Sequence, residues 1–224
     1  EKAWERITAL DLVQEPGEKF IYTDVGFIVL GKLVERVSGQ ALNEFARRRI
    51  YEPLGMHETG FLPPEDLKPR IAPTQKQAGE WLRGTVHDPR SRELGGVAGH
   101  AGLFSTADDL ALYAQMLIDG GRRGDVQLFK SETIALMNTP HETTGGLRGL
   151  GWDKKSVYSS NRGDLMSSQA LGHGGFTGTS IWIDPPQELF VIFLSSRLHP
   201  GGKGSVNDLA GRIGTVAAAA LLEQ

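Results

Sequence analysis

Three short stretches of this 224-residue chain carry side chain types that could do chemistry. In His173-Gly174-Gly175-Phe176-Thr177-Gly178-Thr179-Ser180 an ionisable imidazole is followed at once by glycines. Glycines leave a strand edge bare, so the backbone of another molecule can approach it closely. An exposed N–H there, such as that of Phe176, is a donor for a carbonyl oxygen that is gaining charge. A Gly-rich strand start with a surface His reads the same way without any chemistry. In Tyr22-Thr23-Asp24 a phenol and a carboxylate stand where an apolar helical pattern begins. In Gly95-Gly96-Val97-Ala98-Gly99-His100-Ala101-Gly102 an imidazole lies among glycines, and His87-Asp88 precedes it. His100 reads first as a pocket-lining residue. Together with His87, Asp88 and His173 it could also ligate a metal in a hydrolase, although no H-E-x-x-H or comparable local signature is present.

The elements that must hold these groups follow from periodicity. From Asp24 the pattern is helical: Phe27, Leu30, Val34 and Val37 share a face, with Thr23 or Asp24 as N-cap and Gly39 as the C-terminal stop. That predicts Tyr22 at the mouth of a largely buried helix, its phenol held rigidly. A second helix, 42–51, turns Leu42, Phe45, Ala46 and Ile50 inward and Arg47, Arg48 and Arg49 outward. Residues 57–98 lack periodicity and are expected to form a long functional loop. A capping box at Ser105-Thr106-Ala107-Asp108 opens a helix with Leu110, Tyr113, Ala114 and Leu117 inside. Ser131 is expected to cap a short helix, and Gly149-Leu150-Gly151-Trp152 to start a strand. Ile181-Trp182-Ile183 and Leu189–Leu194 read as strands separated by Asp184-Pro185. Apolar residues at every position of the second predict a strand covered on both faces. A last helix, capped at Ser205, is expected to bury Val206, Leu209, Ile213, Val216 and Ala220. The whole is an α+β arrangement of an antiparallel sheet flanked by helices, with a helical part ahead of it.

Composition narrows the functions open to it. The formal charge of −3, with both signs interspersed, provides no basic face for nucleic acid. No apolar run approaches membrane-spanning length, so no span is expected. Without Cys there is no disulfide, thiolate metal site or Cys nucleophile. The chain starts at Glu1 without a signal peptide, which leads us to expect that it is part of a longer gene product. A periplasmic or secreted location is expected, with the cytoplasm as the alternative.

Tyr22-Thr23-Asp24 at the head of an apolar helix resembles the Y-x-N element of class C serine β-lactamases and their penicillin-binding-protein-like relatives. The run from Val25 through Ser38-Gly39 to Pro53-Leu54-Gly55-Met56 resembles the same family. So do Gly102-Leu103-Phe104-Ser105-Thr106-Ala107-Asp108-Asp109-Leu110 and Leu194-Ser195-Ser196-Arg197-Leu198-His199-Pro200. His173-Gly174-Gly175 stands where the family has K-T-G or H-x-G. The resemblance covers nearly all of the chain in the right order. It implies a single β-lactamase/transpeptidase-like domain, incomplete at its N-terminus, with a mostly helical part over about 1–145 and strands with a C-terminal helix over about 146–224. The family includes β-lactamases, D-alanyl-D-alanine carboxypeptidases, D-amino-acid peptidases and carboxylesterases, so fold leaves the substrate open.

The family's nucleophile is the Ser of S-x-x-K, and no Lys of this chain has Ser or Thr three places before it. The resemblance therefore implies the back portion of a serine hydrolase, with no cofactor, whose missing front would contain the nucleophile. Such a chain is expected to associate with itself or to need the missing segment. Tyr22 would be the general base and then the acid toward the leaving group. A phenol with a pKa of about 10 needs nearby positive charge for this, from the missing Lys and from His173. Asp24 replaces the usual Asn; it keeps an acceptor and loses an amide donor. The Phe176 N–H would complete the oxyanion hole. Gly174 and Gly175 would face the substrate, and Gly174 lacks the Thr hydroxyl that helps hold a carboxylate, although Thr177 or Arg197 could compensate. That favours uncharged esters and amides over β-lactams. A neutral His173 donating a hydrogen bond is favoured over an imidazolium, because a second cation would oppose protonation of the Lys. A binding module that keeps the cleft without a nucleophile is the alternative class.

Overall fold

A computed structural model describes residues 2–222, and its elements bear out the α+β expectation. In chain order they are α1 (Lys2–Thr8), α2 (Asp24–Ser38), α3 (Leu42–Ala46), α4 (Glu52–Leu54), β1 (Gly60–Phe61), β2 (Lys76–Gln77), β3 (Glu80–Trp81), α5 (Pro89–Glu93) and β4 (Leu103–Phe104). Then follow α6 (Ala107–Ile118), β5 (Arg122–Arg123), β6 (Val126–Gln127), α7 (Ser131–Asn138), β7 (His141–Thr143), β8 (Gly146–Arg148), β9 (Asp153–Ser156), β10 (Leu171–Gly174), β11 (Ser180–Asp184), β12 (Leu189–Phe193) and α8 (Asn207–Leu222). The chain divides into two compact units, one of residues 1–52 and 57–105, the other of 53–56 and 106–224. Among the described residues no helix is long and apolar enough to cross a membrane.

In the first unit α2 begins and ends where its sequence says. The Thr23 hydroxyl accepts from the Val25 N–H, and Gly39 closes the helix in the left-handed conformation. Its burial is another matter. Only Ile28 and Gly31 are buried, while Phe27, Leu30, Leu33 and Val37 are exposed, and Tyr22 is half exposed. The expectation of a largely buried helix is thus corrected: most of the apolar face of α2 is left uncovered. Residues 47–51 continue α3 as a π-helical turn, with Tyr51 buried and Arg47, Arg48 and Arg49 exposed as the pattern predicts. The long loop of 57–98 holds α5 and the β2–β3 hairpin, and its β1 pairs antiparallel with β4 beyond the end of the loop.

The second unit is built on a six-stranded antiparallel sheet in the order β12-β11-β10-β9-β8-β7. Trp182 and Ile183, successive residues of β11 on opposite faces, are both essentially inaccessible, so both faces are covered there. β12 is the edge strand and its residues are half-buried throughout, which limits the two-sided cover expected from its composition. Trp182 packs with Met166 and Ala170, flanked by Leu189 and Val191.

Four local expectations shift. Thr106, not Ser105, caps α6 by accepting from the Asp109 N–H, and Ser105 pairs with Thr59 at 2.7 Å. Lys130 holds the N-cap position of α7 and makes no side chain cap. Gly149–Trp152 is not a strand start but the turn joining β8 to β9, closed by Gly149 N–H donating to the Trp152 carbonyl. α8 buries Ala210, Gly211, Gly214 and Ala218 and exposes Leu209, Ile213 and Val216. The small face is the one that fits: Gly211 lies against the carbonyl of Ser160, and Gly214 against the backbone of Gly163.

Candidate active site

Tyr22, Thr23 and Asp24 enter α2 together, and the loop of residues 95–102 lies against the same helix. The contact is made through glycine: a Cβ at Gly99 would fall on the Phe27 carbonyl oxygen, so only glycine lets the loop come this close. His100 follows immediately. Its side chain is 5% exposed, and its Nε2 donates to Asp88 Oδ1 at 2.8 Å. Asp88 is itself the N-cap of α5, accepting from the Ser91 N–H at 2.7 Å. Burial raises the Asp88 pKa, but the Ser91 N–H and the His100 imidazole outweigh it and hold the carboxyl below its ordinary value. Two residues into α5, Arg90 donates from Nη1 to Asp24 Oδ2 at 2.8 Å.

Asp24, Asp88 and His100 thus converge, with one potential donor atom from each within 4.8 Å of the others. Of the four residues read as a metal set, Asp88 and His100 come together, and Asp24, which was not read as a ligand, joins them. His87 is not in the trio and His173 belongs to the second unit. Within the trio Asp24 is held by a guanidinium and Asp88 by an imidazole and a backbone N–H, so a bound cation would have to displace these partners.

In the second unit His173 and Gly174 end β10, paired with Ile181 and Ser180 of β11. On the other side β9 pairs with β10 only at Gly172–Asp153. From His173 onward that edge has no ladder partner in β9, as the glycines predict. Phe176 is not part of a strand; it lies in the turn from β10 to β11, closed by Gly178 N–H to the Gly175 carbonyl, and is 63% exposed. Thr177 takes part through its backbone, its carbonyl accepting from the Arg197 N–H. Arg197 was a candidate substrate clamp, but here its Nε donates to the Phe176 carbonyl at 2.6 Å, its guanidinium covers the Phe176 ring at 4.3 Å, and Nη1 reaches the Gly204 carbonyl. Arg197 therefore fastens the turn that presents the Phe176 N–H.

Gly174 has a structural reason for being glycine. A Cβ there would run into the amide nitrogen of Asn161, which is buried and whose Oδ1 accepts from Trp182 Nε1 at 2.9 Å. Sequence reading missed Asn161, and its separation from position 174 gave no pattern to find it by. His173 Nδ1 lies 2.8 Å from the Gly174 carbonyl, and since a carbonyl only accepts, Nδ1 carries the proton. Burial lowers the His173 pKa; the Gly174 carbonyl works against this, Arg148 adds to it and Asp153 opposes it. The neutral form is favoured, as expected, but its one N–H is engaged by the Gly174 carbonyl, which leaves Nε2 an acceptor. The expected role as a hydrogen-bond donor is corrected accordingly.

The family model described as Beta-lactamase matches residues 1–214. A protein of Escherichia coli K12 named as a candidate D-alanyl-D-alanine carboxypeptidase is 36% identical over 213 residues, covering 87% of this chain and 49% of its own length. The chain thus spans about half the length of the curated relatives it matches. Among solved structures, a penicillin-binding protein homologue of Caulobacter crescentus superposes with a TM-score of 0.73 at 19% identity, over 98% of this chain and 63% of the other. EstCE1, described as a hydrolase with promiscuous acyltransferase activity, gives 0.66 at 25% identity over 92% of this chain and 58% of its own.

Proposed function

The chain belongs to the β-lactamase family of hydrolases, and on that premise we propose that it supplies the base and the oxyanion strand of a serine hydrolase that works through an acyl-enzyme on an ester or amide. The observation that carries this reading is a single family match, over residues 1–214, that includes both Tyr22 and His173-Gly174-Gly175. The 224 residues contain no S-x-x-K, so the nucleophile comes from outside them. Tyr22 takes the nucleophile's proton during acylation and returns it to the leaving group. The Phe176 N–H, on a turn held by Arg197, faces the carbonyl oxygen as charge develops on it. Asp24 orders the entrance of α2. His173, neutral near pH 7, adds no fixed cation for a substrate carboxylate, which favours uncharged esters or amides over β-lactams.

The test joins this chain to a segment that contains S-x-x-K and offers a fluorophosphonate ester. A stoichiometric adduct on that Ser, with Tyr22→Phe slowing its formation by about 10²-fold or more, supports the proposal. An adduct formed by this chain alone on Ser105, Ser180 or any other residue would overturn it. His173→Lys should then raise turnover of a carboxylate-bearing substrate relative to its matched neutral ester. An unchanged ratio removes the preference for uncharged substrates.

A further inference from the structure

We propose that Asn161 is a specificity-determining residue: its amide nitrogen takes the place of a side chain at position 174 and donates a hydrogen bond to an acceptor oxygen of a substrate lying along the open edge of β10. This rests on the reading of that edge as the oxyanion strand. Asn161 ends the short turn Ser159–Asn161, which is fixed on both sides. The Ser159 hydroxyl donates to Asp153 Oδ2 at 2.8 Å and accepts from the Ser156 N–H at 2.7 Å, and Arg162 donates from Nη2 to the Met166 carbonyl at 2.9 Å. Asn161 itself is 3% exposed. The indole N–H of Trp182 only donates, so the amide atom that meets it at 2.9 Å is the oxygen. The nitrogen is thereby turned to Gly174, where it is the atom nearest to the space a Cβ would fill.

Gly174 is half-buried, on the edge that β9 leaves without a ladder partner. Among the described residues the Asn161 Nδ2 has no hydrogen-bond acceptor. Buried donors are rarely left unmet, because their lost hydration is not repaid until an acceptor arrives. A Thr hydroxyl at position 174 has no room beside this amide, so the donor on this face of the strand comes from Asn161 instead. An amide N–H needs no charge on the oxygen it meets, which suits the carbonyl of an uncharged substrate.

The experiment uses the joined protein with the Ser of its S-x-x-K segment replaced by Ala, so that intact esters bind without turnover. Two acetate esters of matched length are the probes: that of N-methylglycolamide, whose alcohol part carries a carboxamide carbonyl, and butyl acetate, with hydrocarbon in its place. The first should bind about five- to tenfold more tightly, and it alone should shift the Asn161 side chain NH2 signals in nitrogen–proton NMR spectra. Asn161→Asp keeps an acceptor for Trp182 and loses the amide donor, while Asn161→Leu loses both. Each should bring the two affinities to about the same value. An Asn161 that only supports Trp182 would weaken both esters alike and leave their ratio. A ratio unchanged in both variants overturns the proposal, as does the absence of binding by both esters. Binding here requires no acyl transfer: if the protein with its Ser fails to acylate, the proposed function falls while the ratio still decides the role of Asn161.

Discussion

The two regions that carry the candidate groups are held in place by different means. Around Tyr22 the first unit relies on side chains: a hydroxyl cap, an Asp–Arg pair and an Asp–His pair, with one glycine contact bringing the loop to the helix. Around His173 the second unit relies on backbone register, four consecutive β10–β11 pairs backed by the inaccessible Trp182 and Ile183. Two of its buried polar side chains are satisfied inward: Asp184 accepts from the N–H and hydroxyl of Ser167, both at 2.6 Å, and the Asn161 amide oxygen accepts from the Trp182 indole. Side chain ties can be lost one at a time, whereas a ladder with a filled core fails as a whole.

That contrast predicts an order of costs. Trp182→Ala removes a large buried ring and the partner of Asn161 and should destabilise by about 3–5 kcal/mol in urea unfolding. A loss below about 1 kcal/mol would mean that the sheet core does not hold the His173 hairpin. Gly99→Ala comes next, at about 1–3 kcal/mol, because the added methyl meets backbone rather than a movable side chain. A neutral effect in thermal unfolding would show that the loop can withdraw from α2 without cost.

Asp88→Ala removes an N-cap and the partner of His100 and should cost about 1–2 kcal/mol. If this truncation proved as costly as that of Trp182, the distinction between the two regions would not hold. The smallest effect is a pH dependence. His173 has a folded-state pKa below its ordinary value, so the unfolded chain binds the proton more readily. Stability should therefore fall as pH drops from about 6.5 through the folded pKa, with a slope of at most about 1.4 kcal/mol per pH unit. Asp88 is lowered as well, but as an acid: its stabilisation is present above the ordinary carboxyl pKa and is lost only as pH falls through its depressed value. His173→Gln should flatten the first limb and leave the second. A first limb that persists in that variant assigns it to other groups.

Signals that lie within a few residues of each other were legible in the sequence. Thr23 and Gly39 bound α2 because caps are local hydrogen bonds, and the glycines after His173 mark a bare edge because missing side chains are local too. The ordered motifs from Tyr22 to His173 carried the family. What depended on partners distant in sequence was decided by the fold. The apolar period of α8 pointed to Leu209, Ile213 and Val216, yet the close backbone of Ser160 and Gly163 admits only the small face. Arg90 reaches Asp24 across 66 positions, and Asn161 fills the side chain space of Gly174. Periodicity reports that a face is apolar or small; which face is buried, and which charge is answered, depends on the atoms that arrive opposite it from elsewhere in the chain.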